Sequence, residues 1–187
     1  MRTAPALLIV SLTMLALTGC IADDDPVIPA PLPTSTPIFA SDEEALAAAE
    51  EAYGAYLAVS NTVTAGGGSE TSSLEPLTTP EMFENLKVSI AQYSENDLHT
   101  QGESQFDSLT LQQYIDNGDG SGSVVAYVCL DVQFVRVLNA AGEDVTAPGR
   151  DERVPLEIAF AADKTSDPVL LLERSDSWSG EDFCIQE

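Results

Sequence analysis

The chain has 187 residues, with 31 acidic side chains against 7 basic ones and a net charge of −24 at neutral pH. This charge excludes nucleic acid as a partner, because its binding depends on Lys and Arg contacts to phosphate. It also opposes anionic lipid headgroups. With one histidine, three cysteines and no Cys-x-x-Cys or His-Glu-x-x-His spacing, no metal and no cofactor is expected.

The first twenty residues carry an address. Arg2 is followed by an apolar run from Ala4 to Leu17, and Leu17-Thr18-Gly19-Cys20 closes it. The run is shorter than the roughly 20 residues a membrane-spanning helix needs, and its charged start and small residues at the end match a processed signal. The junction resembles the lipobox of bacterial lipoproteins, in which the cysteine after a small residue is lipidated and becomes the first residue. The resemblance implies a signal peptide over residues 1–19 and a diacylglyceryl (palmitate-type) group on Cys20. It also implies a place on the extracytoplasmic face of the cell membrane, held by that lipid. Ordinary signal cleavage, leaving Cys20 as a free thiol, is the alternative. A chain starting at Cys20 carries 6 basic against 31 acidic residues, a charge of −25.

Residues 20–40 read as a tether. Pro26, Pro29, Pro31, Pro33 and Pro37 block helix and ladder pairing and favour extended conformations of about 3.1 Å per residue. A domain is expected over residues 41–187. Ser41-x-x-Glu44 reads as a capping box. Leu46, Ala49, Tyr53 and Tyr56 or Leu57 then form an apolar stripe ending near Ser60–Thr62, beside an alanine stripe of Ala45, Ala48, Ala52 and Ala55. Gly66, Gly67 and Gly68 begin a loop running to Thr78. Thr79-Pro80 starts a second helix, with Thr78-x-x-Glu81 as a competing cap, and Phe83, Leu86, Ile90 and Tyr93 line one face as far as Asn96 or Asp97.

After His99 the period changes to two. Leu109, Leu111 and Ile115 lie on one side of a strand, and Asp116-Asn117-Gly118-Asp119-Gly120 forms a hairpin turn. Its acids do not follow the spacing of a calcium loop. The next strand is the longest. Val124, Ala126, Val128, Leu130, Val132 and Phe134 share one face, and Tyr127, Cys129 and Asp131 share the other. Such a strand must curve or carry a bulge. Val154–Phe160 and Val169–Ser175 complete a four-stranded meander ending at Trp178. The expected core is Leu46, Ala49, Phe83, Leu86, Ile90, Val128, Leu130, Val132, Leu156, Ile158, Phe160 and Leu172.

With Cys20 lipidated, Cys129 and Cys184 remain. In an exported protein two cysteines most simply form one disulfide; a reactive or metal-binding pair is the rival. A bridge from Cys129 would draw the tail after Trp178 over the strand face opposite Val128 and Leu130.

Two helices followed by a four-stranded antiparallel meander describe an α+β domain with both helices on one face of a curved, cone-like sheet. Tyr127-Val128-Cys129-Leu130-Asp131-Val132, Arg136-Val137-Leu138, Asp151-Glu152-Arg153-Val154, Trp178 and Cys184 are similar to secreted lipoproteins of Gram-positive actinobacteria with the nuclear transport factor 2-like cone fold. The resemblance covers residues 40–187 and implies no assigned activity and no catalytic residue. The expected role is a binding or interaction module at the cell envelope, with the membrane reached through the N-terminal lipid and an envelope protein as partner. A carrier of a small apolar ligand is the first alternative. An isomerase- or cyclase-like enzyme of the same fold is the second, and it would need a carboxylate of raised pKa beside a tyrosine in an apolar pocket. Tyr53, Tyr56, Tyr93 and Trp178 are the candidate pocket residues, and Asp131, Asp176 and His99 the titratable groups available to an enzyme.

Overall fold

The computed structural model describes residues 36–185. The signal sequence, Cys20 and residues 21–35 of the tether lie outside the described residues. The domain begins earlier than residue 41. Phe39 is buried at 7% exposure and packs edge-on against Tyr114, with ring centroids 5.5 Å apart. The Ile38 amide donates to Asp116 (2.7 Å), the Phe39 amide donates to the Tyr114 hydroxyl (3.0 Å), and Lys164 Nζ donates to the Thr36 and Pro37 carbonyls. Residues 36–40, expected in the tether, are therefore part of the fold. The partners that dock them are far off in sequence, so local composition could not reveal them.

Helix α1 spans Asp42–Ala65. Ser41 caps it by accepting the Glu44 amide (3.3 Å), while Glu44 accepts the Ala40 amide (2.8 Å), so orphan donors at the start are satisfied from both directions. The buried stripe is Ala45, Ala49, Tyr53, Leu57 and Val63. It is rotated from the expected stripe: Leu46 is only half-buried. Two alanines at 0% exposure bring the helix backbone close to the sheet, and a leucine in their place would hold it away. Seven residues, Thr71–Leu77, form a 3-10 segment where a loop was expected. Helix α2 is Pro80–Glu95. Thr79 is its cap, accepting the Met82 amide (3.3 Å), whereas the Thr78 hydroxyl donates to the Leu74 carbonyl (2.9 Å). That pairing settles the two competing boundaries.

The strands are β1 (His99–Gln101), β2 (Gln105–Asp116), β3 (Ser121–Asp131), β4 (Arg136–Leu138), β5 (Arg153–Asp163) and β6 (Leu170–Ser177). β2-β3-β5-β6 form one antiparallel meander, and β1 pairs with β4 in a separate ribbon. The hairpin at residues 116–120 forms as expected, with the Asn117 amide donating to the Ser121 carbonyl (3.0 Å). The ribbon was not expected. It exists because β3 stops at Asp131, whose carboxylate accepts the Gln133 amide two residues on (2.9 Å) and turns the chain. Val132 is consequently half-buried and Phe134 is 69% exposed, so neither joins the core. Gly102 (φ +88°) ends β1 directly against the Phe134 carbonyl, where a Cβ has no room. The irregularity needed by the long hairpin sits in β2, with register shifts after Asp107 and Leu111 and Ser108 at φ 56°.

The even-numbered face of β3 (Val124, Ala126, Val128) joins Leu156, Ile158, Phe160, Ala162, Leu170 and Leu172 under α1. Helix α2 does not lie beside α1 on the sheet. It buries Ile90 with Val63 and Leu74 in a second cluster, completed by Tyr56, Val59, Phe83 and Leu86. Of the expected core, Ala49, Ile90, Val128, Leu156, Ile158, Phe160 and Leu172 are buried, and Leu130, Phe83 and Leu86 are half-buried against it. The 3-10 segment inserts Leu74 at 0% exposure, which is why α2 packs on it rather than on the strands.

Candidate binding site

The two faces of the sheet have different chemistry. On the outer face Cys129 is bonded to Cys184, with Cα atoms 5.5 Å apart. The Trp178 amide donates to the Pro155 carbonyl (2.8 Å) and turns the chain back after β6. Tyr127 then packs between Trp178 (4.6 Å) and Phe183 (5.4 Å). Arg153 fastens the tail from the sheet side. Its Nε donates to the Cys184 carbonyl (3.0 Å), and its two terminal nitrogens reach Asp107 (2.8 Å) and Asp131 (3.3 Å). The hydrogen bond from Arg153 holds Asp107 below the usual carboxylate range, and in turn Asp107 raises Arg153. The tail thus seals the outside of the sheet, the side expected for it.

On the helix side Tyr53 is buried at 1% exposure and stacks on Tyr56 (6.0 Å), with Phe106 edge-on (5.0 Å). Burial pushes both hydroxyls above the usual tyrosine range, and for Tyr53 the Tyr56 neighbour adds to it. Tyr56 also lines a cleft of about 360 Å³ between α2 and β6, formed with Met82, Asn85, Leu86 and Ser89 on one wall and Glu173–Asp176 on the other. At the same strand edge Arg174 reaches Glu157 and Asp176, both at 2.8 Å, on the outer face, where Glu157 stands opposite Tyr127. A second groove, about 330 Å³, lies beside α1 and is lined by Phe39, Ala48, Ala52, Ala55, Val169 and Leu170, among others.

Of the four candidate pocket residues only Tyr53 and Tyr56 meet, and the four do not form one pocket. Tyr53 is a core residue, Tyr56 faces the α2–β6 cleft, Tyr93 lines a separate cleft with Asp97 and His99, and Trp178 belongs to the outer face. Helical spacing gathered the tyrosines on paper, but α2 leaves the sheet and carries Tyr93 away. The cleft does bring Tyr56 to the same site as Asp176, a pair 120 residues apart. Arg174, Asn85 and Ser89 were missed. The only signals for them were a helical spacing along Met82, Asn85, Leu86 and Ser89, and an arginine set between Glu173 and Asp176. Asp131 is engaged by Arg153 and Gln133. The carboxylates whose pKa is displaced, Glu43, Asp107, Asp116, Asp119, Asp144 and Asp163, are all displaced downward, by hydrogen bonds they accept. Among the described residues no carboxylate has its pKa displaced upward, as a carboxyl kept protonated beside a tyrosine would.

Among the described residues no helix is long and apolar enough to cross a membrane, and no three His, Cys, Asp or Glu side chains gather to hold a metal ion. No protein-family profile and no curated protein matches the chain in sequence. Solved structures do match in shape. The intermembrane space region of the chloroplast protein ARC6 superposes with a TM-score of 0.53 at 8% identity, covering 72% of this chain and 97% of that one. A periplasmic fragment of TraM gives a TM-score of 0.48 at 14% identity, covering 76% of this chain and all of that one. The ARC6 likeness is one of fold.

Proposed function

We propose that the chain is a lipid-anchored extracytoplasmic lipoprotein whose cone-like domain serves as an interaction module of the cell envelope. The observation that carries the location is the Cys129–Cys184 bridge, since disulfides persist in oxidising compartments outside the cytoplasm. The Leu17-Thr18-Gly19-Cys20 junction supports the same reading from the other end of the chain. That the ARC6 domain of similar fold occupies an intermembrane space agrees with it by analogy only. The interaction role rests on the cleft between α2 and β6, which opens at the edge of the sheet rather than as a closed catalytic pocket.

Replacing Cys20 by alanine tests the anchor: the variant is expected in the soluble extracytoplasmic fraction and the parent in the membrane. Membrane retention of Cys20→Ala rejects the lipid anchor. Protection of the domain from protease added outside spheroplasts rejects the location. A second reading, carriage of a small apolar ligand, is favoured by the groove beside α1. It predicts a stoichiometric apolar compound in the mass spectrum of the purified protein.

A further inference from the structure

We infer that the cleft between α2 and β6 receives an extended, basic peptide segment of a partner protein, added as a strand to the open edge of β6. This deepens the interaction-module reading and rests on it. The sheet order places β6 at an edge. The chain itself begins strand addition there and then abandons it. Thr78 makes a parallel bridge to Leu172, and the Thr79 amide donates to the Leu172 carbonyl (2.9 Å). At Pro80 the chain turns into α2. Among the described residues no strand continues that pairing along residues 173–177.

Where the pairing stops, the cleft opens, with α2 as its far wall. A strand edge facing a helix suits an extended peptide, which takes affinity from main-chain hydrogen bonds and specificity from pockets for alternate side chains. Met82, Leu86 and Tyr56 offer apolar contact, and Asn85 and Ser89 a polar margin. Five residues of edge accommodate about 16 Å of strand. The charge selects the occupant. Of the charged residues lining the cleft, Glu173 and Asp176 outweigh Arg174, which is already held by Asp176 and by Glu157 on the outer face, and the whole chain carries −24. Such a field draws basic segments and turns away acidic ones.

The test uses the full chain in nonionic detergent and a fluorescein-labelled nonapeptide of alternating Arg and Val, followed by anisotropy against a micelle-only control. Saturable binding is expected, weakened at least tenfold by Ser89→Trp, which fills the cleft from an exposed helix position, and by Glu173→Lys at the exposed strand edge. Methylating alternate backbone amides of the peptide should abolish it. Absence of binding overturns the proposal. So does equal affinity for the N-methylated peptide, equal affinity for an Asp/Val peptide, or full binding by both folded variants. Fractionation reads the location separately, so an exported protein that ignores the peptide rejects this site while leaving the anchor reading intact.

Discussion

Arg153 is the residue on which the outer face depends, because one side chain ties β2, β3 and the tail together through Asp107, Asp131 and the Cys184 carbonyl. Its partner Asp107 has a folded pKa below the unfolded aspartate value of about 3.9. The stabilisation it gives is therefore complete above that value and is lost as pH falls through the lower, folded one. Asp107→Asn should lower the thermal midpoint at pH 7 by an amount equivalent to about 1 kcal/mol or less, since the pair is partly exposed. The difference between variant and parent should close in strong acid. A gap that persists unchanged at pH 2 would show that Asp107 acts through packing rather than charge. The neighbouring disulfide closes a separation of 55 residues, for which the chain-entropy model gives about 4 kcal/mol. Cys129→Ser with Cys184→Ser should lose up to that amount. Thiol titration of the unreduced, unfolded parent should find neither cysteine free, and two free thiols would reopen a redox role.

Each element owes its place to one or two large side chains. The 3-10 segment contributes Leu74, the fully buried centre of the cluster on which α2 packs together with Val63. Leu74→Ala should cost about 2–5 kcal/mol, the range for emptying a fully buried site, and denaturant unfolding measures it. Leu86 was expected in the core but is half-buried on α2, so Leu86→Ala should cost less than Leu74→Ala. An equal or larger loss would mean that α2 sits closer to the sheet than its packing on Leu74 indicates. Helix α1 shows why an apolar stripe can be mis-phased: Leu46 is more hydrophobic than Ala45, but close approach of a helix to a sheet selects small side chains. Strand β3 shows a similar limit. Alternation continues through Phe134, and only the Asp131 side chain, by capturing the Gln133 amide, ends it three residues earlier.

At the scale of the whole molecule, the domain extends back to residue 36. Phe39 is inserted beneath α1 and against Tyr114, while Asp116 and Lys164 hold the backbone of the three residues before it. The acids of the hairpin that might suggest a cation site are employed in the turn and in this docking. Phe39→Ala should destabilise by about 3–5 kcal/mol, as for other buried phenylalanines. A chain starting at residue 41 should melt below one starting at residue 34, and equal melting temperatures would return residues 36–40 to the tether. The excess negative charge is left on the surface, and the basic side chains after Arg2 are engaged by partners on the domain itself. Arg153 and Arg174 serve ion pairs, Arg150 donates to the Val132 and Val135 carbonyls, and Lys164 holds the entering chain.

Sequence alone determined the features that rest on local rules. The cap at Ser41, the hairpin at residues 116–120, the order of the main strands, and the inward face of β3 follow from hydrogen-bonding preference, positive-φ tolerance and period, whereas these rules leave open the choice between Thr78 and Thr79 as the second cap. The bridge between Cys129 and Cys184 is the expected pairing once the lipobox resemblance sets Cys20 aside. Tertiary structure alone decided where α2 lies, that Tyr93 and Trp178 stand apart from the stacked Tyr53 and Tyr56, and that Tyr56, Ser89 and Arg174 share one cleft. These depend on how close two elements can approach and on pairings across a hundred residues. Periodicity reports which face of an element is apolar but not what that face meets.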